Sequence, residues 1–298
     1  MYGLLNLNKP LGKTSRDAVN CVQRIVRPVK VGHAGTLDPL ATGVLVVCLG
    51  PATRLIQYVQ QLPKRYTGTF LLGRRSASDD IEEEIVELQN VAVPTIDEVL
   101  AVLPRFTGTI QQRPPIYSAI KVKGQRAYDL ARAGQDLQLD ARPVVIHDLR
   151  VVRYEYPELV LDIGCGSGTY IRSLGRDIAE SLATGAVMSS LERTAIGDFT
   201  VKSALELKDL SEDSLNSHLL PPETAIQQLA SIVLTEDEAH LITNGRTIDR
   251  PEHGFSDEIA ALDSTGHLVA ILAPRTPNHL RPTSNLAVAA KYSRKKAK

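Results

Sequence analysis

The sequence predicts an α+β fold, with a mixed sheet in a large first domain and a small β-rich domain at the C-terminal end. The predicted strands and helices do not alternate strictly, which disfavours a doubly wound parallel sheet. From about residue 228 onward, apolar residues occur in short alternating runs that are typical of short strands. The chain has 298 residues, of which 43% are hydrophobic and 23% charged, so it is long enough to bury a sizeable core.

Local patterns predict the elements of the first domain. Ser15 is a candidate N-cap, with Asp17 in the first turn of the helix that follows. Thr95 and Glu98 have the spacing of a capping box. Residues 107–125 are rich in glycine, proline and polar side chains, and we expect them to form an excursion that faces a ligand rather than core. The predicted strands are 3–8, 44–49, 65–73, 144–154 and 159–163, and the other predicted helices are 52–62, 95–105 and 169–182.

Charge is distributed unevenly along the chain. The 34 basic and 34 acidic residues balance overall, but residues 1–75 contain 11 Lys or Arg and 2 Asp or Glu, a net charge of +9. This excess favours a local face that binds a polyanion, although scattered basic residues could also do no more than solvate a surface.

Composition excludes several classes of protein. No apolar run approaches the ~20 residues of a membrane span, and the first residues lack the pattern of a signal peptide. Cys21, Cys48 and Cys165 are odd in number and far apart, which indicates buried thiols in a reducing cytoplasm rather than disulfides or a zinc site. We therefore expect a cytoplasmic protein with no membrane segment and no bound metal.

The segment 32–43 is the strongest functional candidate. It contains one carboxylate, Asp38, among glycines and small residues, and the apolar run 44–49 anchors it to the core. A side chain on such an anchored loop is well placed for catalysis. Within this stretch there is no second acid, no Ser–His pair and no metal-ligand cluster, so the pattern indicates chemistry that depends on one aspartate. Leu-Asp-Pro-Leu could equally be a turn.

Two glycine-containing stretches suggest other activities. The run 161–169 resembles the first motif of methyltransferases that use S-adenosylmethionine, but no acid follows about 20 residues later to hold a ribose. Its glycines could instead form a tight turn from a strand to a helix. Gly12-Lys13-Thr14-Ser15 fails as a phosphate loop because Leu7 stands where that motif needs glycine.

Taken together, the motifs resemble those of the bacterial tRNA pseudouridine-55 synthases of the TruB family. The resemblance is strong over about residues 3–200 and weak beyond. It implies a pseudouridine-synthase fold with a largely antiparallel sheet, and isomerisation of a uridine in the T-arm of tRNA without cofactor or metal. The segments that carry it are 3–10, 32–43, Lys64-Arg65-Tyr66, 117–121, Gly168-Thr169-Tyr170-Ile171-Arg172 and 191–194.

The resemblance also implies roles for individual residues. Asp38 matches the catalytic aspartate, Arg172 the arginine that pairs with it, and Tyr66 a tyrosine that stacks on the flipped base. From the residues alone, Arg172 could be a solvated helix arginine and Tyr66 a core tyrosine. The implied substrate-binding residues are His33, Asp80, Leu191, Lys121, Lys9 and Lys64. Where the family usually has Thr-Asp-Thr before this acid, the chain has Ser76-Ala77-Ser78, so the role of Asp80 stays open.

The implied organisation is a catalytic domain over 1–228, with an RNA-gripping insertion at about 112–140, and a PUA-like RNA-binding domain over 229–290. Residues 231–290 hold 4 basic and 8 acidic residues, so the basic tail 291–298 is the better candidate for an RNA contact. We expect tRNA as the partner, no obligate protein partner and a monomer. A methyltransferase and a non-catalytic tRNA-binding protein remain as alternatives.

Overall fold

Most of the described strands belong to one large sheet, and a smaller sheet follows it in the chain. The computed structural model describes residues 1–118, 121–122, 124–127, 130, 139–251 and 254–286. Part of the predicted insertion at 112–140 and the whole tail 291–298 therefore lie outside the described residues. The strands are β1 (Gly3–Lys9), β2 (Val31–His33), β3 (Ala41–Leu49), β4 (Lys64–Leu72), β5 (Arg74–Arg75), β6 (Val86–Glu87), β7 (Gly108–Gln112), β8 (Lys121–Val122), β9 (Gln125–Arg126), β10 (Arg142–Glu155), β11 (Glu158–Cys165), β12 (Ala186–Ile196), β13 (Phe199–Thr200), β14 (Leu205–Glu206), β15 (Ser231–Val233), β16 (Ile248–Asp249), β17 (Ile259–Leu262), β18 (Leu268–Thr276) and β19 (His279–Asn285).

The large sheet has the order β14-β1-β3-β12-β4-β11-β10-β7, with β2 on β3 and β13 on β12. β12 pairs parallel with β3 and antiparallel with β4, and β1 pairs parallel with β14. Every other pairing in this sheet is antiparallel. The predicted α+β class with a mixed, largely antiparallel sheet is confirmed.

Five of the described helices pack on this sheet or connect its strands, and a sixth packs on the smaller sheet. The five are α1 (Ser15–Val26), α2 (Ile56–Gln61), α3 (Ile96–Val102), α4 (Ile171–Ser181) and α5 (Glu212–Ser217), and the sixth is α6 (Glu236–Thr243). The N-cap of α1 is Thr14, not Ser15 as predicted, because Thr14 and Asp17 form a reciprocal capping box. The predicted helix 52–62 is a 3₁₀ turn over Gly50–Leu55 followed by α2.

The expectation that residues 107–125 lie outside the core is wrong at their N-terminal end. Gly108–Gln112 forms β7, the edge strand that pairs with β10. Gln112 is buried, and its side chain accepts a hydrogen bond from the Tyr170 N–H at 2.8 Å and donates to the Tyr170 carbonyl at 3.0 Å. The start of the excursion is therefore tied to the turn before α4.

The glycine run 161–169 has a structural use. β11 pairs antiparallel with both β4 and β10, an arrangement unlike the parallel sheet that a nucleotide-binding turn requires. A Cβ at Gly164 would lie 2.3 Å from Asp148 Oδ2, and Gly168 has a φ of +82°. These glycines allow close packing and a tight turn, so the structure removes the support for a methyltransferase.

The C-terminal sheet has the order β15-β17-β18-β19-β16. It is not an isolated body, because Ala260 and Ile271 of this sheet belong to the same apolar cluster as Val44 of β3 and Tyr58 of α2.

Among the described helices, none has both the length and the apolar character needed to cross a membrane. Cys48 and Cys165 are buried, and burial raises the pKa of their thiols to about 12 and about 11. Cys21 is only partly buried.

Candidate active site

The Asp38 loop lies between β2 and β3 and is held from two sides. The hydroxyl of Ser15, at the start of α1, accepts a hydrogen bond from the Leu37 N–H at 2.8 Å and lies 3.1 Å from the Leu37 carbonyl. The carbonyl of Asp38 accepts from the Ala41 N–H at 3.0 Å, and the carbonyl of Pro39 from the Gly12 N–H at 2.9 Å. The Asp38 side chain is 40% exposed, so a fixed backbone presents a reachable carboxylate.

Arg193 fixes the other end of this loop. Its buried guanidinium donates from Nε to the Val44 carbonyl at 2.8 Å and from Nη2 to the Gly35 carbonyl at 3.1 Å. Gly43, at φ +98°, is needed beside it because a Cβ there would lie 2.3 Å from the Arg193 carbonyl oxygen. The sequence offered no signal for this role, since a buried arginine cannot be distinguished from a solvated one by its residue type.

Arg172, in the first turn of α4, bridges two aspartates. Its Nη2 lies 3.1 Å from Asp38 Oδ2, and its Nη1 lies 3.2 Å from Asp80 Oδ2. The same two nitrogens donate to the carbonyls of Tyr117 at 3.1 Å and Ser78 at 2.8 Å. With its side chain 8% exposed, two carbonyl acceptors and two carboxylates around it, the guanidinium is held in one orientation beside Asp38.

Asp80 is completely buried on the far side of Arg172. Its Oδ1 accepts hydrogen bonds from the Ser78 hydroxyl and from the Glu82 N–H, the latter at 3.0 Å. Burial, and then the carboxylates of Asp80 and Asp38, raise the pKa of Glu82. The structure thus brings two further acids close to Asp38 that are distant from it in the sequence.

Tyr66 and Leu191 form an apolar wall next to this charged group. Tyr66, in β4, and Leu191, in β12, belong to one buried cluster with Leu37 and Ile171, the neighbours of Asp38 and Arg172 in the chain. Burial is the main reason that the pKa of the Tyr66 phenol is raised. The residues predicted for base contact therefore lie beside the predicted catalytic pair.

The remaining predicted substrate-binding residues have varied surroundings. His33, at the end of β2, is half-buried, and burial lowers its pKa. Lys9 is completely buried and donates to the carbonyls of Pro10 at 3.0 Å and Lys13 at 2.6 Å. Lys64 is buried and donates to the carbonyl of Gln60. Burial lowers the pKa of both ammonium groups to about 8.

Both lysines are thus engaged inside the protein, and a contact with substrate would require them to leave these carbonyls. Lys121 lies in β8, and its side chain is outside the described residues. Within the part of the chain that the structure describes, no group of three His, Cys, Asp or Glu residues is arranged to hold a metal ion.

An ion pair that the sequence did not single out lies one helical turn beyond Arg172. Arg176 Nη1 contacts Asp79 Oδ2 at 2.7 Å, directly beside the Asp80–Arg172 contact. The available signal was the spacing of four between Arg172 and Arg176, which places both side chains on one face of a helix.

Comparison with known proteins assigns this site to a class. Residues 23–171 match the model of the TruB family pseudouridylate synthase (N terminal domain), and residues 172–227 match the tRNA pseudouridylate synthase B C-terminal domain. A tRNA pseudouridine synthase B of Arthrobacter sp. (strain FB24) is 43% identical over 92% of this chain and 93% of its own length. Another of the same name, from Acaryochloris marina (strain MBIC 11017), is 45% identical over 76% and 80%.

Solved structures agree with this class. The crystal structure of a Cbf5-Nop10-Gar1 complex contains a chain that is 26% identical, with a TM-score of 0.73 and coverage of 95% of this chain and 84% of the other. The fold and the sequence matches together define a pseudouridine synthase. Within that class, the chain belongs to the TruB family.

Proposed function

We propose that this protein isomerises uridine 55 in the T-arm loop of tRNA to pseudouridine, with Asp38 as the essential carboxylate acting on a flipped-out uridine. The observation that carries the proposal is the Asp38–Arg172 pair, in which a buried guanidinium contacts a partly exposed carboxylate on a fixed loop.

In the reaction, the C1′–N1 bond breaks, a C1′–C5 bond forms, the proton on C5 leaves and N1 gains a proton. The balance needs no oxidant, reductant or group donor, so no cofactor is required.

Arg172 orients Asp38. Its Nη2 lies within hydrogen-bond distance of the Asp38 carboxylate, and the second contact of the guanidinium, to Asp80, prevents it from turning away. The Asp38 carboxylate can then attack the sugar or the base as a nucleophile, or remove a sugar proton as a base.

Tyr66 and Leu191 hold the extruded base. A uridine inside a folded RNA loop must leave its stack before its glycosidic bond can be reached, and aromatic stacking lowers the cost of extrusion. The apolar cluster beside Asp38 supplies this surface. His33, Asp80, Lys9, Lys64 and Lys121 complete the proposed substrate-binding set, with Asp80 acting through Arg172.

The RNA lies against the basic N-terminal region. Exposed cations precede the Asp38 loop in the chain, and phosphate contacts of this kind supply most of the affinity for RNA without reading sequence. They are Lys13, Arg16, Arg24, Arg27 and Lys30. The proposed organisation is the catalytic domain 1–228 with its insertion at 112–140, the PUA-like domain 229–290 and the basic tail 291–298, working as a cytoplasmic monomer without an obligate protein partner.

The test is tritium release from a T-arm stem-loop RNA that carries ³H at C5 of the target uridine, with no cofactor added. We expect wild-type protein to release tritium and Asp38→Asn to be slower by more than about 1,000-fold, with RNA affinity within about threefold of wild type. Asp17→Asn, an exposed aspartate in the same basic region, is the matched control and should stay active. Equal release by wild type and Asp38→Asn, or tight RNA binding without release by either, would reject the proposal.

A further inference from the structure

Helix α4 carries two arginines one turn apart, and each forms an ion pair with one of two consecutive aspartates. Arg172 pairs with Asp80, and Arg176 pairs with Asp79 at 2.7 Å. Residues four apart on a helix lie on the same face, so the two guanidinium groups are neighbours. A single turn of chain, 78–80, is thereby fixed to the helix at two points.

Asp79 has a backbone conformation that must be stabilised by other contacts. Asp79 has a φ of +61°, in the left-handed region that few non-glycine residues adopt, although Asp and Asn tolerate it best. Its carbonyl accepts a hydrogen bond from the Met188 N–H at 3.0 Å, which places the turn against β12. Its carboxylate is 14% exposed and contacts Arg176. The ion pair therefore stabilises the turn that presents Asp80 to Arg172.

The same two arginines hold a third segment, residues 113–117, which we name the excursion base because it follows β7 at the start of the predicted insertion. Arg176 Nη2 donates to the Arg113 carbonyl at 2.9 Å, and Arg172 Nη2 donates to the Tyr117 carbonyl at 3.1 Å. Asp177 Oδ1 accepts from Arg176 Nε at 2.9 Å and fixes the plane of that guanidinium. The turn 78–80, the excursion base and Asp38 thus meet on one face of α4.

We propose that Arg176, paired with Asp79, is a positioning residue that ties the excursion base and the Asp80 turn to the Asp38–Arg172 pair. The hydrogen bonds and ion pairs of Arg176 and Asp79 go to other residues than Asp38, Tyr66 and Leu191. Their effect passes through Arg172, whose alignment with Asp38 depends on the turn and the excursion base staying in place. The proposal rests on the proposed isomerase function for its kinetic readout.

The test compares Asp79→Asn with Asp162→Asn. Asparagine has the size of aspartate and tolerates a positive φ, so Asp79→Asn removes the charge and leaves the backbone of the turn unstrained. Asp162 pairs with Arg65 between β4 and β11, away from α4, and its variant controls for the loss of any partly buried ion pair. Single-turnover rates at saturating RNA and RNA dissociation constants are measured for both.

We expect Asp79→Asn to lower the single-turnover rate about tenfold with an RNA affinity within twofold of wild type, and Asp162→Asn to change neither. The double variant Asp79→Asn/Arg176→Gln should be no slower than the slower single variant, because the pair acts as one unit. Equal rates for Asp79→Asn and Asp162→Asn would overturn the proposal, as would an effect on affinity alone.

Amide hydrogen exchange separates this proposal from the proposed function. Wild-type turnover tests the isomerase, whereas exchange in peptides covering 76–82 and 111–118 tests the coupling without any reaction. Asp79→Asn should raise exchange in both peptides, and Asp162→Asn in neither. If exchange in the excursion base is unchanged in Asp79→Asn, the coupling does not exist, whatever the activity of the wild type.

Discussion

At the scale of residues, Arg172 contacts two carboxylates that differ in their exposure to solvent. Asp38 is 40% exposed on the side from which substrate would approach, whereas the Asp80 side chain is 1% exposed and has no access to water. A buried carboxylate that loses its cation carries a large desolvation penalty, but an exposed one can be hydrated. Asp80 therefore locks the arginine in place, which leaves Asp38 free to act.

This difference predicts the stability of Arg172 variants. Arg172→Met should lower the free energy of unfolding by roughly 3–5 kcal/mol, because it leaves the buried Asp80 carboxylate without its cation. Adding Asp80→Asn should recover part of that loss by removing the charge. Urea denaturation of the two proteins at pH 7 measures both values. A double variant that is no more stable than Arg172→Met would show that Asp80 is not the source of the cost.

The lowered pKa of Lys64 predicts that the free energy of unfolding depends on pH. Burial lowers its pKa from 10.5 to about 8, so between these values the unfolded chain binds more protons than the folded protein. Stability contributed by this group therefore rises as pH increases from about 8 to 10.5. Lys64→Met removes the titration, so the free energy of unfolding of wild type minus that of Lys64→Met should rise by on the order of 1–3 kcal/mol across that window.

The measurement is urea denaturation of wild type and Lys64→Met at several pH values from 7 to 10.5. The difference between the two proteins cancels the titration of groups that the substitution leaves unchanged. A value for wild type minus Lys64→Met that stays constant, or falls as pH increases, would contradict the depressed pKa of Lys64.

At the scale of elements, the packing of α4 on the sheet sets the position of Arg172. Gly175 faces the buried ring of Phe70 in β4, and a Cβ at Gly175 would lie 2.1 Å from its Cε1 atom. The helix can approach the sheet this closely only with glycine at that position. The distance of Arg172 from Asp38 is thus decided by a contact one helical turn away.

Gly175→Ala should push α4 outward, lower stability by about 1–3 kcal/mol and slow isomerisation, because overpacking in a tight core displaces the backbone. Phe70→Leu in the same protein makes room for the added methyl group. The double variant should be more stable and faster than Gly175→Ala alone, as measured by urea denaturation and tritium release. No recovery in the double variant would rule out this contact as the cause.

Elements with a strong pattern were predictable, and those governed by tertiary contacts were not. β1, β3 and the β10–β11 hairpin follow from apolar runs or alternation. β12 was not predicted, although it lies between β3 and β4, because Ser, Glu, Arg and Thr interrupt its apolar residues. β7 was mistaken for an excursion because it is a largely exposed edge strand in which Ile110 is the single large apolar residue.

In the candidate site, too, some features could be predicted from motifs, and others depend on tertiary contacts. The motifs located Asp38, and the family resemblance named Arg172, Tyr66 and Asp80, which the structure brings together. The burial of Lys9 and Lys64 and the pair between Asp79 and Arg176 depend on how separate segments meet. Residue type alone favours a solvated surface for each of these charges, so the sequence could not reveal them.

At the scale of the whole molecule, one apolar cluster joins the two sheets. Ala260, Ile271 and Leu286 of the C-terminal part pack with Val44 and Tyr58 of the first part. The Tyr58 hydroxyl also donates to Glu258 Oε2 at 2.7 Å across the same junction. A core shared in this way couples the stability of the two parts, so we expect them to unfold together.

Ile271→Ala should therefore lower the melting temperature of the entire protein. The side chain is completely buried, and truncation to alanine costs about 2–5 kcal/mol in such surroundings. Differential scanning calorimetry should show one transition for wild type and one, at lower temperature, for the variant. Two transitions, of which only one moves, would show that the parts fold independently.

Every role proposed for the site depends on the protein isomerising one uridine of tRNA through Asp38. The most direct test maps pseudouridine at single-nucleotide resolution in an unmodified tRNA transcript incubated with wild-type protein or with Asp38→Asn, without added cofactor. We expect pseudouridine at position 55 with wild type and none with Asp38→Asn. Pseudouridine at position 55 with both proteins, or with neither, would contradict the proposed function of Asp38.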